Sequence, residues 1–301
     1  MTILAATRKI VPLVRAAGRR WAARVWTTRT PLPAKLALTG VLAAIVVLGI
    51  RLIVPTLPAP GPAPGLAPGL AGIAAYDLEG VRAGGRVDAV FVDNVGTGLR
   101  DIADTARRKH LFLRLMLPLI LRENRHILED RKRVWRSPTA RIRDLYAHYG
   151  VREGDVATLG RRVDAVPPSL ALAQAAIESG WGASRFVDEA NNFFGQHTYD
   201  GAVGGLLPAG GDGSFKVRHF HTIAESVRSY LHNLNTHRAY AALRRARAAG
   251  RRDDLMMPAG LALARHLTSY SERREDYVRA IEEVIRTNRL DDFDAARLAI
   301  P

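Results

Sequence analysis

Apolar residues recur with helical spacing through most of the second half of the chain. Ile142, Leu145, Tyr146 and Tyr149 share one helix face, and Gly150 ends that run. Val227, Tyr230, Leu231 and Leu234 form a second face, and Tyr277, Ile281, Val284 and Ile285 a third. Capping boxes precede the last two, at Thr222 to Glu225 and at Ser269 to Glu272, so both helices read as scaffold with Tyr230 in the core. Residues 169–179 differ: after Val166-Pro167-Pro168 they are small and apolar all round, which predicts a buried helix with proline in its first turn. Further upstream, Phe91, Phe112, Leu115 and Leu119 suggest a long helix within 88–136, bent at Pro118, reaching about Trp135 and packing on the C-terminal domain. The charges of Arg131-Lys132-Arg133 are expected on its solvated face.

Residues 36–54, LALTGVLAAIVVLGIRLIV, break the pattern. Nineteen residues carry one charge, Arg51, and as a helix they nearly cross a hydrocarbon core of about 30 Å. Eight basic residues and no acid precede them, which orients that flank to the cytoplasm and the remainder outside the inner membrane. A buried core helix or a cleaved signal peptide are the alternatives to this single-pass anchor. The Pro, Gly and Ala of residues 55–75 then read as an extended tether. The expected organisation is a basic tail (1–35), a transmembrane helix (36–54), a linker (55–87), a helical extension (88–136), a catalytic domain (137–290) and a C-terminal tail (291–301).

Charge and composition narrow the function. The 301 residues carry 44 Lys+Arg against 29 Asp+Glu. Residues 137–301 hold 22 basic and 20 acidic residues, while residues 1–136 hold 22 and 9. The basic excess belongs to the front of the chain, so a nucleic-acid partner is not expected. Cysteine is absent, which excludes disulfides and cysteine-based zinc or redox sites. His219 and His221 alternate on a predicted strand, but His232 and His237 are five apart and no H-E-x-x-H motif occurs; neither a metal nor another cofactor is expected. Phosphate loops, nucleophile elbows and dinucleotide fingerprints are missing too.

One carboxylate stands out. Glu178 closes the apolar helix and is followed by Ser179-Gly180-Trp181-Gly182. Burial raises a carboxyl pKa, and a carboxyl kept protonated at neutral pH is what a general acid needs. The two glycines let the chain turn and a substrate approach, and Trp181 is either a core filler or a sugar platform. The structural alternative is an ion pair between Glu178 and an arginine such as Arg185.

The stretch VPPSLALAQAAIESGWGASRF followed by Asn191-Asn192-Phe193-Phe194-Gly195-Gln196 resembles glycoside hydrolase family 73, and more narrowly the Bax-type proteins with a mannosyl-glycoprotein endo-β-N-acetylglucosaminidase-like domain. The likeness continues through Phe220, Glu225 to Val227, Tyr230, His232 to Tyr240 and Leu267 to Val278, covering about residues 105–288. It implies a mainly α, lysozyme-like fold with a small irregular or β lobe beside a sugar groove. It places Glu178 as the catalytic acid and Tyr240 as a substrate-positioning residue. Asn235-Thr236-His237-Arg238-Ala239 precedes Tyr240 without the family's proline, so a locally satisfied aromatic is the other reading. Trp181 and Phe194 are expected to stack on sugar, and Asn191 and Asn192 to shape the loop and contact it.

Glycosidases commonly pair two carboxyl groups. Between Gly195 and Phe220 the candidates are Asp200 and Asp212, both among glycines and each equally readable as a turn residue. Asp212 is favoured because the following GDGSFKVRHF reads as a strand; the 2-acetamido group of the substrate is the alternative. Glu225 is assigned to helix capping. The expected function is a membrane-anchored peptidoglycan hydrolase acting on β-1,4 links of glycan strands. The rivals are a lytic transglycosylase on the same fold and a catalytically silent glycan-binding scaffold.

Overall fold

The computed structural model describes residues 68–73, 76–137, 139–199, 204–207, 215–251, 258–271 and 273–299. The expected cytoplasmic tail, transmembrane helix and most of the linker, as well as Asp200 and Asp212, lie outside the described residues. Among the described residues no helix is long and apolar enough to cross a membrane.

In chain order the elements are α1 (Pro68–Ala71), α2 (Leu78–Arg82), β1 (Arg86–Val87), α3 (Thr105–Arg136), α4 (Arg143–His148), α5 (Val156–Arg162), α6 (Pro168–Ser179) and α7 (Arg185–Ala190). They continue with β2 (His197–Thr198), β3 (Gly205–Leu206), β4 (Lys216–Arg218), α8 (Ile223–Thr236), α9 (Ala241–Gly250), α10 (Gly260–Ala264), α11 (Arg274–Thr287) and β5 (Arg297–Leu298). The described fold is mainly helical with two small sheets.

Helix α6 is the centre of the packing. From Pro168 to Ala176 its residues are buried on every side, and α3, α10, α11 and the 3-10 turn Leu290–Phe293 surround it. Enclosing Leu170 and Leu172 completely contributes about 1.5–3 kcal/mol each. Pro168 sits in the first turn, where its missing amide removes no helix bond. Gly180, left-handed at φ 58°, ends the helix, and Trp181 N–H bonds back to the Ala176 carbonyl at 2.9 Å in a Schellman arrangement. The length and burial agree with the sequence pattern.

Helix α3 starts later than its apolar residues suggest. Residues 88–104 are irregular apart from β1's exit and a 3-10 turn at Gly96–Gly98, because Gly96 adopts φ 50° and Asp104 supplies a strong cap. The Asp104 carboxylate accepts from Ala106 N–H at 2.9 Å and Arg107 N–H at 3.2 Å. From there 32 residues run through Pro118 without interruption. Leu111 to Leu121 join the core formed by α6 and α8. Asn124 clamps the entry to α6: its amide donates to the Val166 carbonyl at 2.7 Å, and Val166 N–H returns to Asn124 Oδ1 at 2.9 Å.

The small lobe is a three-stranded antiparallel sheet of order β2-β4-β3. Val217 is its buried middle, registered with His197 on one side and Leu206 on the other. Residues 291–299, expected as a tail, are instead part of the packing. Asp294 accepts from Ser169 N–H at 2.8 Å, Ser169 Oγ at 2.9 Å and Gly260 N–H at 3.0 Å, and β5 pairs in parallel with β1. A parallel partner so far upstream in sequence leaves no local signal.

The Thr222 cap forms as expected, with its hydroxyl accepting from Glu225 N–H at 3.2 Å, while Glu225 accepts from His221 N–H at 2.9 Å. The expected Ser269 cap does not start α11. The chain first makes a turn around Tyr270, with Ser271 Oγ accepting from Arg273 N–H at 3.3 Å, and the helix begins at Arg274.

Candidate active site

Glu178 lies in the last turn of α6, half-buried. Helix carbonyls converge at that end and disfavour a negative charge. Burial holds the carboxyl above the usual glutamate range, against a smaller opposing effect of the hydrogen bond from Tyr277. The alternative of an ion pair is corrected by the geometry. Arg185 instead donates to the Leu207 carbonyl at 3.2 Å, and among the described residues no Lys or Arg pairs with Glu178.

The two carboxyl oxygens have different surroundings. Tyr277 Oη donates to Oε1 at 2.7 Å. The same Tyr277 oxygen accepts from Gln174 Nε2 at 3.1 Å, and Tyr230 Oη donates to Gln174 Oε1 at 2.7 Å. Gln174's amide commits the Tyr277 proton to Glu178 Oε1. A proton carried by Glu178 therefore belongs on Oε2. That oxygen faces Gly195: a Cβ built there would stand 3.2 Å from Oε2. Gly195 also has φ 62°, which a side chain rarely adopts.

Four tyrosines gather around this carboxyl. Tyr270 stacks on Tyr277 with centroids 5.4 Å apart and donates to the Phe194 carbonyl at 3.2 Å; Tyr240 lies 5.9 Å from Tyr270. Burial pushes the Tyr277 phenol well up, with Glu178 adding to the effect. Burial also raises Tyr240, against a hydrogen bond from the Asn233 side chain, with Glu178 raising it further. Tyr240 thus belongs to the surroundings of Glu178, although the proline of its family motif is absent. Tyr277, Tyr270 and Gln174 were missed in the sequence. Gln174 offered one signal, a polar residue one helical turn before Glu178 on an otherwise apolar helix.

The remaining candidates have structural duties. Trp181 is left-handed at φ 59°, packs edge-on against Phe112 at 5.4 Å, and carries the Lys109 ammonium 4.7 Å from its ring centroid. Its core contacts are visible; a sugar would have to share the ring with Lys109. Phe194, expected on the sugar, is 1% exposed and stacked on Tyr230 at 3.9 Å and 7°. The correction has a simple cause: the core beneath α8 takes the ring. Asn191, left-handed at φ 50°, donates to the carbonyls of Phe220 at 3.1 Å and His221 at 3.2 Å. Asn192 donates to the carbonyls of Gln196 at 2.8 Å and Arg218 at 2.9 Å, and accepts from Gln196 N–H at 3.0 Å. Both asparagines shape the loop, and the Asn192 amide hydrogens are already engaged by backbone rather than available to sugar. Asp200 and Asp212 have no described position.

A polar cleft of about 600 Å³ opens beside this centre, between the small lobe and the C-terminal end of α8. Gln196, next to Gly195, lines it, as does His237, whose ring centroid lies 5.8 Å from that of Tyr240. Among the described residues no group of three His, Asp or Glu side chains is placed to hold a metal ion.

The glucosaminidase family model, described as mannosyl-glycoprotein endo-beta-N-acetylglucosaminidase, matches residues 155–290. Protein bax of Escherichia coli (strain K12) is 34% identical over 196 residues, which is 60% of this chain and 69% of that protein. The chain belongs to the Bax-type family of glucosaminidase-domain proteins. No solved structure matches it significantly. For a Bax-type chain the glucosaminidase domain supports glycoside hydrolase activity in the broad sense, on a glycan substrate. The matched segment contains Glu178, Tyr240, Tyr270 and Tyr277, and so spans the site described above.

Proposed function

We propose that this protein is a peptidoglycan hydrolase, an endo-β-N-acetylglucosaminidase that cleaves β-1,4 glycosidic bonds with Glu178 as general acid. The observation that carries the reading is a half-buried carboxyl with a raised pKa, hydrogen-bonded among the described residues on Oε1 only, whose Oε2 faces a glycine. The proton on Oε2 passes to the glycosidic oxygen as the bond from the anomeric carbon breaks, and the leaving sugar departs as an alcohol. Water then adds to the oxocarbenium-like carbon, and its released proton restores Glu178 to the acid form. Asp212, Asp200 or the substrate's acetamido group steadies the positive charge. Tyr277 holds the carboxyl in orientation.

We further infer, from the sequence pattern alone, that residues 36–54 anchor the enzyme in the inner membrane with its C-terminal domain in the periplasm. Resistance of the full-length chain to alkaline carbonate extraction tests the anchor. Mass spectrometry of products from purified peptidoglycan tests the reaction: new reducing N-acetylglucosamine ends are expected. Anhydro-muramyl ends would assign a lytic transglycosylase instead, and strand capture without product a glycan-binding scaffold.

A further inference from the structure

The polar cleft beside Glu178 has a one-sided charge. Among the described residues, Arg218, Arg238, His197, His232 and His237 line it, together with neutral polar side chains, and no carboxylate does. Some arginines of residues 137–301 are paired with acids: Arg143 with Glu153 at 2.7 Å, Arg228 with Glu123 at 2.9 Å, and Arg286 with Glu282 at 3.0 Å. Arg218 and Arg238 have no acidic partner among the described residues. Arg218 is nevertheless held in place, with its guanidinium 4.9 Å from the Phe220 ring centroid and Nη1 donating to Ser229 Oγ at 3.3 Å.

The cleft is also tied to the reacting centre. His237 lines it with its ring centroid 5.8 Å from that of Tyr240, whose phenol feels the Glu178 carboxylate. Gln196 follows Gly195, the residue opposite Glu178 Oε2.

We propose that this cleft is a subsite for a carboxylate carried on the glycan strand, and that Arg218 and Arg238 set the preference of the enzyme for such strands over neutral ones. The inference rests on the glycan-hydrolase reading above and adds its specificity. Guanidinium groups bind carboxylates through paired, charge-assisted hydrogen bonds, and the open stereochemistry of a wide polar cleft suits a substituent projecting from a sugar ring. In peptidoglycan the carboxylate belongs either to the stem peptide or, on a muramic acid that has lost its peptide, to the lactyl ether.

The test measures binding on the full-length Glu178→Gln chain, so that turnover plays no part. Three probes are compared: soluble peptidoglycan strands with stem peptides, strands stripped by an amidase so that each muramic acid bears a free lactyl carboxylate, and chitooligosaccharide of equal length. The charged strands are expected to bind at least about tenfold tighter than the neutral one, and Arg218→Gln/Arg238→Gln is expected to erase that ratio. Preference for the stripped strand alone assigns the lactyl carboxylate, preference for the intact strand alone assigns the stem peptide, and preference for both assigns a subsite that takes either carboxylate. Equal affinity for charged and neutral strands, or a preference that survives the double substitution, overturns the subsite. Failure of the unsubstituted enzyme to cut any strand would instead sink the hydrolase reading, and the binding ratio still judges the subsite.

Discussion

The Tyr277 hydroxyl donates to Glu178 Oε1 at 2.7 Å, joining helices whose contacting residues are 99 positions apart in sequence. It stabilises the ionised carboxyl and so opposes the effect of burial. Tyr277→Phe removes that donor, and the Glu178 pKa is expected to rise further. The alkaline limb of the kcat/KM profile, where the general acid loses its proton, should move to higher pH. The variant also leaves Gln174 Nε2 without its acceptor in a fully buried position, for a loss of about 1–3 kcal/mol in urea unfolding. An unmoved alkaline limb would remove Tyr277 from the account of the acid.

The raised Glu178 pKa also has a consequence for stability. The folded protein holds this proton more tightly than the unfolded chain, so ionisation disfavours folding. The stability associated with the neutral carboxyl is present below the ordinary glutamate range and is lost as pH rises through the higher folded pKa. Glu178→Gln has no such proton to lose. Its melting temperature relative to the parent should therefore climb as pH rises from the ordinary glutamate range through the higher folded pKa. A difference that stays flat or shrinks over that range would contradict the raised pKa.

Gly195 and Gly180 separate backbone strain from crowding at the acid. Both are left-handed, at φ 62° and φ 58°. Alanine at either is expected to lower stability by about 1–2 kcal/mol. A Cβ at 180 meets nothing within 4 Å, whereas one at 195 stands 3.2 Å from Glu178 Oε2. Thermal melts should show similar losses for the two variants, and turnover at saturating substrate should collapse only for Gly195→Ala. Comparable activity in both would mean that Oε2 does not face the substrate.

Asn192 supports the small lobe from beneath. Asn192→Ala leaves the carbonyls of Gln196 and Arg218 and the amide of Gln196 without their side-chain partner. A loss of about 1–3 kcal/mol is expected, concentrated locally. Hydrogen exchange should quicken in β2 and β4 while α6 keeps its protection. Uniform acceleration throughout the domain would show that the lobe has no separate dependence on Asn192.

Much of the frame was legible because its causes are local. The all-round apolar run of 169–179 dictates burial, Gly180 dictates where it stops, and Thr222 with Glu225 dictates where α8 begins. The carboxyl at the end of such a helix was visible for the same reason. The tyrosines around it were not, because Tyr277 shares a helix face with Ile281 and Ile285 and looks like core until its distant partner is known. Phe194 misled in the opposite direction: an aromatic beside a glycine loop carries no mark of whether Tyr230 or a sugar will cover it. Arg247 is fully buried within a helix whose sequence, AALRRARAAG, looks solvated. Its partners Asp164, Asn235 and the Ala165 carbonyl come from other elements, so no helical period betrays them.

The central claim is that Glu178 delivers the proton that breaks a glycosidic bond. The direct measurement is release of reducing ends from purified peptidoglycan by equal amounts of folded, full-length parent and Glu178→Gln protein. The substituted amide keeps the size of the side chain and an oxygen for Tyr277 but has no carboxyl proton to give, so release should fall by about a hundredfold or more. Equal release by the two proteins would contradict the account.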